Sequence, residues 1–355
     1  MQPMRHGSEL DPPNRFESVR RELELEQLEW DQEHLASHDR REIEYLPDDS
    51  KSIVSENKSP DIPFRYSVNP YRGCVHGCSY CYARNTHEFL GFNAGLDFET
   101  KIMVKHKAPQ LLETFLNRKS YQPETISFSG VTDCYQPAER QFRLTRQCLE
   151  VALRYQQPVG IVSKNALVVR DLDLLQLLAA QNLVHVYLSI TTLQPELARA
   201  MEPRTSIPTA RLRAVRMLAE AGVPVGVMVA PVIPGLNDSE IPAILDQARQ
   251  AGAATANFIL LRLPLTVEPV FREWLQRTQP EKQELIEARV RQTRDGSMYD
   301  SQWNQRMRGS GTIAEQIKQM FQLFAKKHGL DKPLPQVDSS RFQNPNAGPQ
   351  QMNLF

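Results

Sequence analysis

Residues 69–84 read NPYRGCVHGCSYCYAR and hold three of the chain's five cysteines. Cys74, Cys78 and Cys81 follow the spacing C-x3-C-x2-C, while Cys134 and Cys148 lie well downstream. Cysteines this close in sequence cannot form unstrained disulfides with one another, but their thiolates can face one metal centre. The stretch therefore predicts a metal site in a reducing compartment.

The number of thiolates indicates which metal centre to expect. Three thiolates can hold three irons of a [4Fe-4S] cluster, whose usual complement is four cysteines, and they leave the fourth iron open to a small molecule. The alternative is a Cys3His zinc site with His76 or His87 as the fourth ligand. Zinc knuckles normally pair two C-x2-C elements and this chain has one, so the pattern favours the cluster.

The composition is that of a globular protein. The chain has 355 residues, of which 41% are hydrophobic and 24% charged, so it can bury a sizeable core. Lys+Arg and Asp+Glu both number 42, which excludes a histone-like polycation. The longest apolar stretch, near residues 222–236, is broken by prolines, and the N-terminus has no apolar run typical of a secretory signal. We therefore expect a cytoplasmic protein without membrane spans.

Beyond residue 64, short apolar runs alternate with helical segments. The candidate strands are Phe64–Asn69, Thr125–Gly130, Val159–Ser163, Val184–Thr191, Val225–Ala230 and Asn257–Leu261, and the candidate helices are Arg140–Tyr155, Asp171–Gln181, Pro208–Ala221 and Ser239–Ala251. This alternation is typical of a parallel sheet with helices outside it, and in such folds the chemistry lies at the carboxyl ends of the strands.

We predict an α/β fold, a partial (β/α)6 TIM-type barrel, over residues 61–266. Residues 1–60 carry 8 basic and 15 acidic side chains and form an acidic, partly disordered extension that ends in a polar linker at 48–63. Residues 267–330 form a helical C-terminal region that is interrupted at 294–311. Residues 331–355, rich in Pro, Gln, Asn and Ser, form a flexible tail.

The cysteine motif, with aromatic Tyr80 before its last cysteine, resembles the signature of the radical S-adenosylmethionine superfamily. Residues 69–84, 132–137, 202–204 and 231–238 are similar to a bacterial branch grouped with spore photoproduct lyase and labelled DNA-repair-photolyase-like. The resemblance covers roughly residues 50–330. It implies a [4Fe-4S] cluster that cleaves S-adenosylmethionine reductively, an electron donor such as flavodoxin or ferredoxin, and hydrogen abstraction from a substrate.

The resemblance leaves the substrate open. DNA, in repair or modification, is the leading expectation, and RNA, a peptide or a small molecule is the alternative. A third hypothesis is an iron–sulfur or zinc protein that binds partners without turnover. The segment 294–311 mixes arginine, aromatic and glycine residues, as in a nucleic-acid-binding loop or a lid over the barrel.

Residues after the strands are the candidate cofactor ligands. The resemblance implies contacts to S-adenosylmethionine from Tyr80, from the turn after the second strand, from Lys164 after the third, from hydroxyls after the fourth and from a stretch that packs on adenine after the fifth. In full, these candidates are Tyr80, Gly130, Thr132, Asp133, Lys164, Ser189, Thr191, Ile233 and Gly235. The family often has Gly-Gly-Glu in the second-strand turn, and this chain departs from it. The alternative for Thr132 or Asp133 is a cap on the following helix.

Cys134 and its neighbour Tyr135 are the catalytic candidates. Cys134 follows the second strand, and it resembles in this the cysteine outside the cluster that spore photoproduct lyase uses to quench its product radical. A thiol is a good hydrogen-atom donor. The alternative is a small buried cysteine, which is what most free cysteines are, and Cys148 is assigned to the core on that ground.

The chain ends in Gln351, Met352, Asn353, Leu354 and Phe355, so three large apolar side chains lie at the tip of a polar tail. The pattern resembles the bacterial sliding-clamp-binding peptide Gln-Leu-x-Leu-Phe. A sliding clamp is therefore an expected partner, through a few buried apolar anchors. The alternative is a tail that folds back onto its own barrel.

Overall fold

Six parallel strands form the centre of the protein in the computed structural model, which describes residues 6–12, 14–16 and 42–346. In the seven-stranded main sheet the order is β10-β9-β8-β7-β6-β3-β2, and β2 pairs antiparallel with β3 at one edge. The strands are β2 (Val54–Glu56), β3 (Tyr66–Val68), β6 (Ile126–Phe128), β7 (Val159–Ser163), β8 (Val184–Ser189), β9 (Val225–Val232) and β10 (Thr255–Leu260). β2 and β10 are the two edges of this sheet, so the barrel is partial, as the alternating pattern predicts.

A small second sheet carries the start of the cysteine motif. It contains β1 (Glu44–Pro47), β4 (Tyr71–Arg72) and β5 (Lys101–Val104), in the order β1-β5-β4. β1 runs parallel to β5, and β4 runs antiparallel to it. Tyr71, Ile102 and Val104 are fully buried and form a separate apolar cluster with Leu144. The cysteine motif therefore begins directly after a short strand that packs into a buried apolar cluster.

Helices lie between and after the strands. They are α1 (Asn85–Glu88), α2 (Leu96–Thr100), α3 (Ala108–Leu116), α4 (Glu139–Phe142), α5 (Leu144–Arg154), α6 (Leu172–Ala179), α7 (Pro195–Met201), α8 (Pro208–Glu220), α9 (Ile241–Gln250), α10 (Val267–Thr278), α11 (Gln283–Gln292) and α12 (Gly311–Lys327). In α5 the buried residues Leu144, Cys148, Leu149 and Ala152 recur at helical spacing and face the sheet. Cys148 is thus a core residue, as predicted.

The structure differs from the expected organisation in several places. The predicted acidic extension contains β1. The predicted helix Arg140–Tyr155 is two helices, because Arg143 adopts a left-handed conformation (φ 52°) that ends the first of them. The predicted linker contains β2, which covers the sheet edge. The predicted tail packs against the body as far as Asn346, whose side chain donates to the Tyr155 hydroxyl at 2.8 Å, and the Phe342 ring lies 5.4 Å from that of Tyr121. These contacts are not evident from the sequence because backbone and side-chain hydrogen bonds to distant residues make most of them.

None of the helices among the described residues has the length and apolar character needed to span a membrane. Residues 351–355, which carry the clamp-like motif, lie outside the described residues.

Candidate functional site

Cys74, Cys78 and Cys81 lie on one loop between β4 and α1, which we call the cysteine loop (residues 73–81). Cys74 and Cys78 are 5% and 7% exposed, and Cys81 is half-buried. Gly77 turns the loop with φ 64°, and a Cβ there would lie 2.6 Å from Glu99 Oε2. A side chain is excluded at this position, because the loop passes directly over that carboxylate.

The guanidinium of Arg84 holds the cysteine loop through hydrogen bonds to its backbone. Arg84 is fully buried, and its Nε and Nη2 donate to the carbonyl oxygen of Cys78 at 3.0 and 2.9 Å. Its Nη1 donates to two further carbonyls, and its Nη2 pairs with Glu99 at 2.5 Å. Every branch of the guanidinium is therefore satisfied, as burial of a charge requires.

Tyr80 fixes the loop from the barrel side. Its hydroxyl donates to the buried carboxylate of Glu202, which also accepts from Thr191 Oγ1 at 2.5 Å and pairs with the buried Arg211 guanidinium. Burial is the largest single influence and acts to raise the pKa of Glu202, but the charges of Arg211 and Lys164 and the hydrogen bonds from Thr191 and Tyr80 together lower that pKa to about 2. The carboxylate thus remains ionised and binds both the loop and the end of β8.

The chemistry of the loop fits an iron–sulfur cluster. Burial raises the pKa of all three thiols, so they are neutral until a metal displaces their protons. The hydroxyl of Ser79 is buried and has no hydrogen-bond partner within the described part of the chain, which leaves it to a sulfur acceptor. No three His, Cys, Asp or Glu side chains in that part converge as around a single ion. A cubane cluster needs no such convergence, because each thiolate binds a different iron.

His76 and His87, the possible fourth ligands of a zinc site, contact other side chains of the protein. The Nε2 atom of His76 lies 3.1 Å from Asn165 Nδ2, and its Nδ1 lies 3.4 Å from Asp133 Oδ2. His87 is fully buried, and its ring packs against Phe92 and Phe98. Burial lowers the pKa of both histidines to about 4. Both rings are therefore neutral parts of the loop's support.

The candidates after β6 and β7 meet beside the cysteine loop. Asp133 accepts from Ser163 Oγ at 2.8 Å and from the Lys164 amide at 2.7 Å. Thr132 donates through its hydroxyl to Tyr71 O at 3.0 Å, and a Cβ on Gly130 would lie 2.7 Å from Ser67 Cβ. Their side-chain contacts connect neighbouring strand ends. The Lys164 ammonium lies 5.8 Å from the centre of the Tyr80 ring.

The candidates after β8 and β9 line the same end of the sheet. Ser189 donates to Ala230 O at 2.9 Å, and Thr191 is engaged by Glu202. Ile233 is fully buried, and its amide donates to Asn237 Oδ1 at 2.6 Å. Gly235 has φ 85°, in a turn that glycine favours. The structure thus brings the ends of β6 to β9 together, as parallel strands require.

The two catalytic candidates, Cys134 and Tyr135, both lie in the interior of the protein. Cys134 is fully buried in the main apolar core, and burial raises the pKa of its thiol. Tyr135 is also fully buried, and its hydroxyl donates to Asp171 at 3.1 Å. This burial fits the buried-cysteine alternative for Cys134, and a catalytic role for either residue stays a prediction.

Sequence reasoning missed the residues that hold the loop. Arg84, Glu99 and Arg211 are buried charges whose partners lie on other elements, so no local pattern identifies them. Tyr82 was also missed, although it directly follows Cys81. Its hydroxyl donates to Gly130 O at 2.9 Å, and the guanidinium of Arg262 lies 5.3 Å from the centre of its ring.

Comparison with known proteins gives matches over most of this body. A family model described as the radical SAM superfamily matches residues 68–248. An uncharacterized protein of Mycobacterium tuberculosis is 40% identical over 230 residues, which are 63% of this chain and 68% of that protein. One of Methanocaldococcus jannaschii is 28% identical over 69% of this chain and 87% of its own.

Among solved structures, a mutant form of spore photoproduct lyase matches with a TM-score of 0.59 and 16% identity, over 80% of this chain and 79% of that one. Spore photoproduct lyase complexed with dinucleoside spore photoproduct matches with a TM-score of 0.52 and 18% identity, over 66% and 67%. At these identities the likeness shows a shared fold.

We predict that Glu202→Ala destabilises the protein strongly. The change leaves the Arg211 guanidinium buried without its carboxylate, which typically costs about 3–5 kcal/mol. Chemical denaturation of the metal-free protein measures the free energy of unfolding. Glu315→Ala, at an exposed ion pair on α12, is the control and should leave the midpoint unchanged. Equal denaturation midpoints for both variants would contradict a stabilising role of the Glu202–Arg211 ion pair.

Proposed function

The chain belongs to the radical SAM superfamily, and we propose that this radical SAM enzyme acts on DNA, in repair or modification. Enzymes of the family use a [4Fe-4S] cluster and S-adenosylmethionine. Together these cofactors supply reductive cleavage of the sulfonium bond, which gives methionine and a 5′-deoxyadenosyl radical that takes a hydrogen from the substrate.

The observation that carries the proposed radical SAM chemistry is the cysteine loop itself. Two buried thiols and one half-buried thiol lie on a loop that two buried ion pairs hold at the carboxyl ends of the strands. Cys74, Cys78 and Cys81 are the residues that would hold the cluster. The strand-end candidates described above lie next to the loop, and we propose that S-adenosylmethionine binds among them. The protein's own contribution is to position the cofactors and to exclude water.

A basic and aromatic pair beside the loop supports a nucleic-acid substrate. Arg262 follows β10, stacks on Tyr82 and donates to Met307 Sδ at 3.3 Å. Its Nε is buried and has no hydrogen-bond partner within the described ranges. The carboxylate of Asp61, which pairs with Arg306, also interacts electrostatically with Arg262. A guanidinium with an unsatisfied donor, next to a half-exposed ring, suits a phosphate with an adjacent base.

The loop at 294–311 packs over the same end of the barrel. Arg294 is buried and donates to Leu261 O at 2.7 Å, and Arg306 pairs with Asp61 at 2.5 Å. The side chains of these two arginines are therefore occupied by contacts that hold the loop in place. Trp303 is 57% exposed and is the residue of this loop that we assign to base stacking.

The proposed partners follow from the same chemistry. One electron must enter for each cleavage, so a small electron carrier such as flavodoxin or ferredoxin is proposed as the donor. The C-terminal residues Gln351, Met352, Leu354 and Phe355 are proposed to bind a sliding clamp, which would tether the enzyme to DNA. All five cysteines are free thiols, in keeping with the cytoplasm as the proposed compartment.

We predict that the anaerobically reconstituted protein, given S-adenosylmethionine and dithionite, releases 5′-deoxyadenosine. Cys78→Ala removes one of the three thiolates and should abolish the product, which chromatography measures. Cys148→Ala, at a core cysteine, is the control and should retain the activity. A wild-type protein that holds its cluster and forms no 5′-deoxyadenosine would refute the proposed chemistry.

We predict that Arg262→Ala weakens binding to a short DNA duplex by about tenfold, the usual order for a lost charged hydrogen bond. The slope of log affinity against log salt concentration should also become less steep by about one released counterion, since a phosphate contact is lost. Fluorescence anisotropy across a salt series measures both. Arg65→Ala, at an exposed arginine paired with Glu56, is the control. Equal affinities for the two variants would remove the support for a nucleic-acid substrate.

We predict that a labelled peptide of residues 345–355 binds a bacterial sliding clamp with about micromolar affinity, because a few apolar anchors are buried against the cost of ordering the peptide. Fluorescence polarisation measures the titration. A peptide with Leu354→Ala and Phe355→Ala should lose binding. Absence of saturable binding, or equal binding of both peptides, would refute the clamp partner.

A further inference from the structure

We propose that residues 6–12 and 14–16, which we call the N-terminal strap, close the outer face of the cysteine loop and position it for the cluster. The inference rests on the proposed function only in taking the loop as the holder of the cluster. It assigns a role to an N-terminal segment that composition alone describes as an acidic extension.

Gly7 places the strap in direct backbone contact with the loop. A Cβ built on Gly7 would lie 1.7 Å from Gly77 O and 3.1 Å from Ser79 N. No side chain fits at such distances, and backbone atoms cannot rotate away to make room. The main chain of the strap therefore covers residues 77–79, on either side of Cys78, and the neighbouring Ser8 is fully buried.

One carboxylate binds the strap and the loop at the same time. Glu99 is fully buried and accepts from the amides of Gly7 and Ser8 at 3.2 and 2.9 Å. The same carboxylate pairs with Arg84, whose guanidinium holds the carbonyl of Cys78. Arg84 cannot keep a satisfied partner if Glu99 moves, so contacts made by the strap reach the cluster ligands through two residues.

Further contacts hold the rest of the strap. Asn14 donates to Glu88 O at 2.9 Å and to Phe92 O at 3.1 Å, and Arg15 pairs with Glu88 at 3.1 Å. At the other end Arg277, on α10, pairs with Glu9 at 3.3 Å. The strap thus bridges α1 and α10 across the loop. Terminal segments are poorly ordered unless they are tied down, and this one is tied at both ends.

The consequence is protection of the cluster on the side away from the barrel. Without the strap the backbone of residues 77–79 and the carboxylate of Glu99 would face water. Water and dissolved oxygen would then approach the sulfides, and the loop would lose the contacts that restrain it. Gly7, Ser8 and Glu99 are accordingly positioning residues, because they act on the cluster through the loop.

The test is the rate at which a reconstituted cluster is lost in air-saturated buffer without S-adenosylmethionine, followed by its visible absorbance and by released iron. Gly7→Val forces the strap off the loop, and a protein lacking residues 1–16 removes it. Both should lose the cluster about tenfold faster or more, since the hydrogen bonds from the Gly7 and Ser8 amides to Glu99 are lost. Glu281→Gln, at an exposed carboxylate outside the strap, is the control and should match the wild type.

The outcomes of this test distinguish a failure of the strap proposal from a failure of the proposed function. Variants that load a full cluster and lose it at the wild-type rate overturn the role of the strap but leave the proposed function intact. A wild-type protein that never loads a cluster overturns the proposed function instead. If neither variant folds, hydrogen exchange of the unmodified protein decides. Amides in residues 6–12 should gain protection when the cluster is loaded, and equal protection with and without it overturns the proposal.

Discussion

The buried guanidinium of Arg84 is the constraint on which the cysteine loop depends. A charge without water must have all its donors satisfied, and here the carbonyls of the loop and the carboxylate of Glu99 satisfy them. Removing a partner from such a buried pair is far more costly than removing an exposed one. The loop is therefore fixed before any metal binds, which spares the cluster much of the cost of ordering its ligands.

A second buried pair completes the support from the opposite side. Glu202 and Arg211 hold the hydroxyl of Tyr80 and the end of β8, so the loop is fastened to the barrel through a side chain of its own motif. With the N-terminal strap on the outside and the barrel on the inside, the loop is held between two carboxylates. The ends of the strands lie on the barrel side of the loop, where we propose that S-adenosylmethionine and the substrate bind.

The sequence predicts well the elements that bury a continuous apolar surface. β7 is predictable to the residue because Val159, Ile161 and Ser163 alternate with less buried neighbours. The three cluster cysteines are predictable from spacing, because ligands close in sequence need no tertiary contact to be recognised. β1 and β5 were missed because each is only four residues long and pairs in a separate small sheet. The strap was missed because its order depends on distant partners such as Glu99 and Glu88. Arg84 and Glu99 were missed because no local pattern marks a buried ion pair. The complete burial of Cys134 likewise depends on tertiary packing, which its position after a strand does not reveal.

Electron paramagnetic resonance of the reduced, reconstituted protein tests the central claim most directly, which is that three fixed thiolates leave one iron of a four-iron cluster open. The account predicts the signal of a reduced [4Fe-4S] cluster whose line shape changes when S-adenosylmethionine is added, because the cofactor then binds the open iron. A protein that shows no such signal, or a signal that S-adenosylmethionine leaves unchanged, would contradict the account.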